Sequence, residues 1–138
     1  MVDIEVVKQR LNQLSISLKK IERYKDISLD EFLEDGIIQD VVEYNLFIVI
    51  NMMIDIATHI VVDNGMGNPE TLGGAFIFLN KEKYLNDEET KTYRNMVGLR
   101  NILSHDYLKI DKGIVFNVLK ENLVDIKKFI IYVNDNFI

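Results

Sequence analysis

The sequence predicts an all-α fold, an antiparallel bundle of about five helices, and three observations carry that reading. Apolar residues recur at alternating spacings of three and four over long stretches at both ends of the chain. Helix-start signals, a polar cap followed by acids or by Pro, separate the apolar segments. One Pro and seven Gly in 138 residues leave few interruptions, and no segment reads convincingly as a strand.

In the first segment Ile4, Val7, Leu11, Leu14, Leu18 and Ile21 form a continuous apolar seam, which stops around Tyr24–Ile27. Ser28 with Glu31 reads as a capping box and starts a second helix at Leu29. That helix is expected to run to about Val62, with a possible kink near Gly36; its middle is apolar nearly all round, which places it at the bundle centre. Asp63-Asn64-Gly65 ends it, because Asn-Gly suits the left-handed backbone after a helix. Asn68 and Pro69 read as the cap and first turn of a short third helix reaching about Asn80. Asn86, followed by Asp87, Glu88 and Glu89, starts a fourth helix that continues to about His105. Asp111 caps the fifth, whose seam is Phe116, Leu119, Leu123, Ile126, Ile130, Val133 and Phe137. With no repeat, low-complexity tract or linker, residues 1–138 are expected to form a single helical domain.

Composition excludes several classes of chemistry. Cysteine is absent, which removes disulfides, thiolate catalysis and Cys-based zinc sites. With two histidines, His59 and His105, a multi-His metal site within one chain is not expected. The N-terminus has no basic region before an apolar stretch, so no signal peptide is expected. The longest apolar stretch, Leu46 to Val62, is broken by Asn51, Asp55 and His59 and preceded by Glu43, which suits a buried core helix better than a membrane span. A soluble cytoplasmic protein is the expectation. Net charge is −6, but the acid is concentrated: residues 1–70 hold six Lys/Arg against thirteen Asp/Glu, and residues 71–112 hold seven against six. A small local phosphate site fits this distribution; a broad electrostatic nucleic-acid binder does not.

The chemistry is concentrated in Arg100-Asn101-Ile102-Leu103-Ser104-His105-Asp106-Tyr107, at the end of the fourth helix. A neutral imidazole can take a proton from a ribose 2′-hydroxyl, and the planar, permanently charged guanidinium suits the charge that builds on the attacked phosphate. No metal is required, because the nucleophile is internal to the substrate. Residues five apart on a regular helix sit ~140° apart around the axis. Arg100 and His105 therefore converge only if the helix tightens or ends near His105, or if a second copy of the chain completes the site. Asn101, four before His105, shares its face and could hold the imidazole tautomer or a phosphate oxygen. The same Arg and His near a helix C-terminus also serve simply as partners of the helix dipole.

The string from Val97 to Tyr107 closely resembles the signature of the HepT branch of the HEPN superfamily: Arg, four residues, His, one residue, Tyr, commonly with Asn after the Arg. The resemblance extends over roughly residues 38–111, through Ile38-Gln39-Asp40-Val41-Val42-Glu43, Asp55-Ile56-Ala57-Thr58-His59-Ile60 and the Gly65–Pro69 connection. It implies a HEPN-type bundle that dimerises through the motif helix, with a metal-independent ribonuclease site in the dimer cleft and no cofactor. It further implies a toxin paired with a minimal nucleotidyltransferase antitoxin that transfers AMP onto the motif tyrosine. Carried onto this chain, Arg100 and His105 are catalytic, Asn101 supports them and Tyr107 is the modification target.

Asp55 and His59, four apart on the central helix, are expected to be able to touch, as a core or interface pair or as groups orienting the cleft. Phe76, Tyr84 and Tyr93 read as core aromatics before base-stacking ones. Besides a ribonuclease toxin, two readings stay open: a catalytically silent helical dimer that binds a nucleotidyltransferase, and a nucleotide-binding helper whose Arg100 and His105 hold a phosphate without cutting.

Overall fold

The computed structural model describes residues 2–105 and 109–138, and among them every regular element is a helix. There are seven: α1 (Ile4–Glu22), α2 (Leu29–Glu34), α3 (Gly36–Asp63), α4 (Gly74–Lys81), α5 (Asp87–His105), α6 (Lys112–Glu121) and α7 (Leu123–Phe137). The all-α bundle expected from periodicity is present, and the count of about five is corrected to seven because two expected helices are each split by a cap.

The first split is at Asp35, whose extended backbone ends α2 and whose carboxylate accepts from the Ile37 and Ile38 amides at 3.0 and 3.1 Å. Gln39 closes the other side by donating to the Phe32 and Leu33 carbonyls. Asp35 thus starts a new helix where a kink near Gly36 was expected. The second is at Asn122, whose amide bonds back to the Val118 carbonyl while its side chain donates to Asp125 at 2.8 Å. Leu119, Leu123, Ile126 and Val133 of the expected seam are buried, but Val115 and Phe129 enter the core where the seam named Phe116 and Ile130, which are only half-buried. The third expected helix also starts late. Residues 68–73 are turns and irregular backbone, and α4 begins only at Gly74, where a side chain would meet Thr71 at 3.2 Å and Pro69 at 3.3 Å.

α3 is the axis of the molecule, packing on α1, α2, α4, α5 and α6. By length and composition alone it could cross a membrane. Here Val42, Leu46, Val49, Ile50, Met53, Ile56, Ala57 and Ile60 are instead buried under the surrounding helices. α1 runs antiparallel to it: the Asp3 amide meets Asp63 at one end, and Arg10 pairs with Asp55 at 2.5 Å further along. α5 is antiparallel to α3 as well, with Arg100 opposite Asn51 and Ser104 sharing a cavity wall with Tyr44. One apolar cluster runs through all seven helices. The loop after α3 turns at Gly65, φ +65°, and lies on α4 through Gly67, where the Phe78 ring occupies the space a Cβ would need. The expected stop of α3 at Asp63-Asn64-Gly65 is observed.

Candidate active site

α5 starts on a reciprocal capping box: Asn86 Oδ1 accepts from the Glu89 amide at 2.7 Å, and Glu89 accepts from the Asn86 amide at 3.0 Å. From that fixed end the helix remains α-helical to His105, so its last two turns present their side chains at regular spacing. Leu99 and Leu103 point into the core, 6% and 7% exposed. Gly98, Asn101, Ile102 and His105 recur at three- and four-residue spacing and form an exposed stripe. Arg100 lies off that stripe, half-buried against α3.

Three neighbours hold Arg100. Its Nε–H donates to Asn51 Oδ1 at 2.7 Å, its guanidinium lies over the Phe47 ring at 5.2 Å, and Nη1 donates to Asn101 Oδ1 at 3.1 Å. A guanidinium gripped at Nε and supported on an aromatic face keeps most of its fork available for a phosphate. Asn101 therefore reaches the arginine rather than the histidine within this chain. His105 is exposed in the last turn of α5, on a different face from Arg100, as the regular spacing requires. Tyr107 and Asp106 lie outside the described residues.

Sequence reasoning missed Asn51 and Phe47. Asn51 had been noted only as an interruption of the apolar run, yet an amide on a central buried helix needs a partner, and that requirement was the available signal. The other candidates separate. Asp55 is engaged by Arg10 of α1, and no hydrogen bond or ion pair joins it to His59 among the described residues. Their i, i+4 spacing permits contact, but a guanidinium across the α1–α3 interface is the stronger partner for the carboxylate. Phe76 and Tyr93 are core residues, 1% and 2% exposed, and Tyr93 donates to the Asp125 carbonyl at 3.1 Å. Burial first, then the charges of Glu89 and Asp125, push the Tyr93 phenol well above its ordinary range. Tyr84 is 41% exposed and packs on Tyr132 and Phe137. No group of three or more His, Asp or Glu is placed to hold a metal among the described residues.

A family model described as Ribonuclease HepT-like matches residues 14–133. The chain belongs to this family. It is 31% identical over 122 residues to the mRNA nuclease HepT of Shewanella oneidensis, an alignment covering 87% of this chain and 92% of that protein. It is also 31% identical over 140 residues to the tRNA nuclease HepT of Aphanizomenon flos-aquae, covering all of this chain and 95% of the relative. The fold agrees. The tri-AMPylated Shewanella oneidensis HEPN toxin, solved in complex with MNT antitoxin, is similar with a TM-score of 0.87 and 31% identity over 99% of this chain and all of that one. A toxin–antitoxin structure solved with AMP-PNP is similar at 0.88, with 28% identity over 96% and 99% of the two chains. In this HepT-like chain, Arg100, Asn101 and His105 of the motif fall on the end of α5, where Arg100 is held against Asn51 and Phe47.

Proposed function

We propose that this HepT-like chain is the toxin of a HEPN/nucleotidyltransferase pair, an endoribonuclease that cuts RNA without a metal in the cleft between two copies of the chain. The observation that carries this reading is the grip on Arg100, a partly buried, pre-oriented guanidinium five residues before the exposed His105 on α5. The neutral His105 imidazole accepts the proton of a ribose 2′-hydroxyl, and that oxygen attacks the adjacent phosphorus. Negative charge on the phosphoryl oxygens is met by Arg100, which Asn51 and Asn101 hold in place. The bond to the 5′-oxygen breaks, that oxygen takes a proton from an imidazolium across the cleft or from water, and a 2′,3′-cyclic phosphate remains.

Two copies meet through α5 in this reading. The stripe of Gly98, Asn101, Ile102 and His105 supports it: Ile102 is 44% exposed, and nothing lies within 4 Å of where a Gly98 side chain would begin. A second copy laid on that stripe supplies the His105 that one regular helix turns away from its own Arg100. The cognate minimal nucleotidyltransferase is the antitoxin, and it transfers AMP to Tyr107, two residues past His105 in the sequence, adding negative charge and bulk to the motif. Both partners act in the cytoplasm on this reading, and the chain works as one helical domain. The Shewanella toxin solved as a tri-AMPylated complex with MNT antitoxin supports the pairing.

Purified protein incubated with total RNA in excess chelator tests the proposal. Fragments ending in cyclic phosphate are expected, and they disappear in His105→Ala. Chelator-sensitive cleavage, or wild-type cleavage by His105→Ala, would overturn the mechanism. An inert wild-type protein that still binds the nucleotidyltransferase would favour the silent dimer instead.

A further inference from the structure

Beside Arg100 the first half of α3 and the last turn of α5 enclose a cavity of about 380 Å³, lined by Asp40, Glu43, Tyr44, Phe47, Leu103 and Ser104. Its size is in the range of small-ligand pockets. Phe47 belongs to both places: it lines the cavity and carries the Arg100 guanidinium 5.2 Å above its ring. A phosphate held by Arg100 therefore has its neighbouring nucleotide at the mouth of this cavity. Tyr44 lies three residues before Phe47 on the same face of α3 and is 64% exposed. An exposed tyrosine beside a phenylalanine offers a platform on which any base can stack.

The polar lining narrows the ligand. Glu43 is 7% exposed, and both its oxygens accept from Lys112 at 2.8 and 2.9 Å, so its charge is balanced and each oxygen already has a partner. The Asp40 carboxylate at the exposed rim only accepts, and the Ser104 hydroxyl can do either. A carboxylate facing a stacked base complements an exocyclic amino group, which adenine, cytosine and guanine carry and uracil lacks.

We infer that this cavity is a base-binding subsite: it takes the nucleobase next to the scissile phosphate, with Tyr44 and Phe47 against its face and Asp40 accepting from its amino group. The inference rests on the ribonuclease reading of Arg100 and His105 and adds sequence preference to it. Phosphate contacts at Arg100 place the strand without reading it, and the cavity does the reading.

Two measurements on the full-length protein test it. In the first, short RNAs carry one cleavable ribose in an otherwise 2′-O-methylated strand, with each of the four bases placed in turn on either side of the cut. Wild type should cut uracil at the sensitive position more slowly than the three amino-bearing bases. Tyr44→Ala should weaken KM for all four by on the order of tenfold, the stacking of one base. Asp40→Ala should level the four. In the second, 2′-O-methyl dinucleotides, which cannot be cut, are titrated against isotope-labelled protein, and the Tyr44 and Phe47 ring signals should move. Equal rates and base profiles in wild type, Tyr44→Ala and Asp40→Ala overturn the inference and leave the ribonuclease reading intact. Dinucleotides that shift these rings in a protein that cuts nothing uphold the subsite and sink the ribonuclease. If Tyr44→Ala only turns a dimer into a monomer by light scattering, with unchanged dinucleotide binding, the cavity faces a second copy and the inference fails.

Discussion

The two halves of α5 lie in different surroundings. Residues 87–97 begin on the Asn86–Glu89 capping box, are tied to α4 by Asn80 donating to Asp87 at 3.0 Å, and send Tyr93 into a cluster with Phe76, Phe129 and Tyr132. Residues 98–105 bury only Leu99 and Leu103, and expose an amide, a hydroxyl and an imidazole. One helix thus combines an anchored half with a half whose polar groups face solvent. The anchor lets the other half carry exposed polar chemistry, because those side chains are not asked to hold the fold. A consequence is that stability and activity should separate along α5 and its partners.

Substitutions at the two ends provide the strongest test of that separation. Arg100→Ala and His105→Ala should each lower RNA cleavage by about 10²–10⁴-fold, while His105→Ala shifts the urea midpoint little, since exposed changes alter stability by about 0.5 kcal/mol or less. Phe129→Ala should do the reverse. Phe129 is fully buried and in ring contact with Phe76, Tyr93 and Tyr132, and removing such a ring costs about 3–5 kcal/mol. That is a large part of a domain's total stability of roughly 5–15 kcal/mol. Soluble, folded Phe129→Ala with a wild-type midpoint would remove the contrast.

Asn51→Ala sharpens the comparison, because Asn51 is on the central helix yet serves the exposed end. A hydrogen bond to a charged group contributes about 1.5–3 kcal/mol, so kcat should fall on the order of tenfold or more with KM little changed. On an Arg100→Ala background the same substitution should cost almost nothing further, since the two act as a unit. Asn51→Asp keeps an acceptor but places a negative charge on the guanidinium, and it should also lose activity. Equal losses in both backgrounds would show that Asn51 acts independently of Arg100.

What could be read in the sequence follows the same division. Local signals named α1, both ends of α5 and the stop after α3, because caps and seams depend on residues a few positions apart. The breaks at Asp35 and Asn122 were harder to read: the first was expected only as a kink near Gly36, and an apolar seam runs across the second, so only the cap geometry marks them as helix ends. At the candidate site, the spacing of Arg100 and His105 showed that one helix turns them apart. It could not name Asn51 or Phe47, which lie about fifty residues away and meet Arg100 only through the α3–α5 packing. The Arg10–Asp55 pair was out of reach for that reason too, since Arg10 reaches Asp55 from another helix.

The smallest predicted effect lies inside the anchored half, where two tyrosines in one cluster differ in a single hydrogen bond. The Tyr93 hydroxyl donates to the Asp125 carbonyl, whereas the Tyr132 hydroxyl is buried without a partner among the described residues. At neutral pH, Tyr93→Phe should therefore lose about 1 kcal/mol, and Tyr132→Phe should be neutral or gain about as much, because a buried unsatisfied hydroxyl is itself unfavourable. Both phenols are held above their ordinary range, chiefly by burial, with Tyr84 and Glu89 adding to the effect at Tyr132. An unfolded tyrosine loses its proton near pH ~10 while these two keep theirs, so the folded chain binds more protons and its stability falls as pH rises past that value. Each phenylalanine variant lacks one such group and should lose less stability between pH 8 and pH 11 than wild type does. Urea midpoints for the three proteins at both pH values check this. If Tyr132→Phe were the more damaging change at neutral pH, the hydroxyl would have a partner after all, and the two tyrosines would not differ in the way proposed.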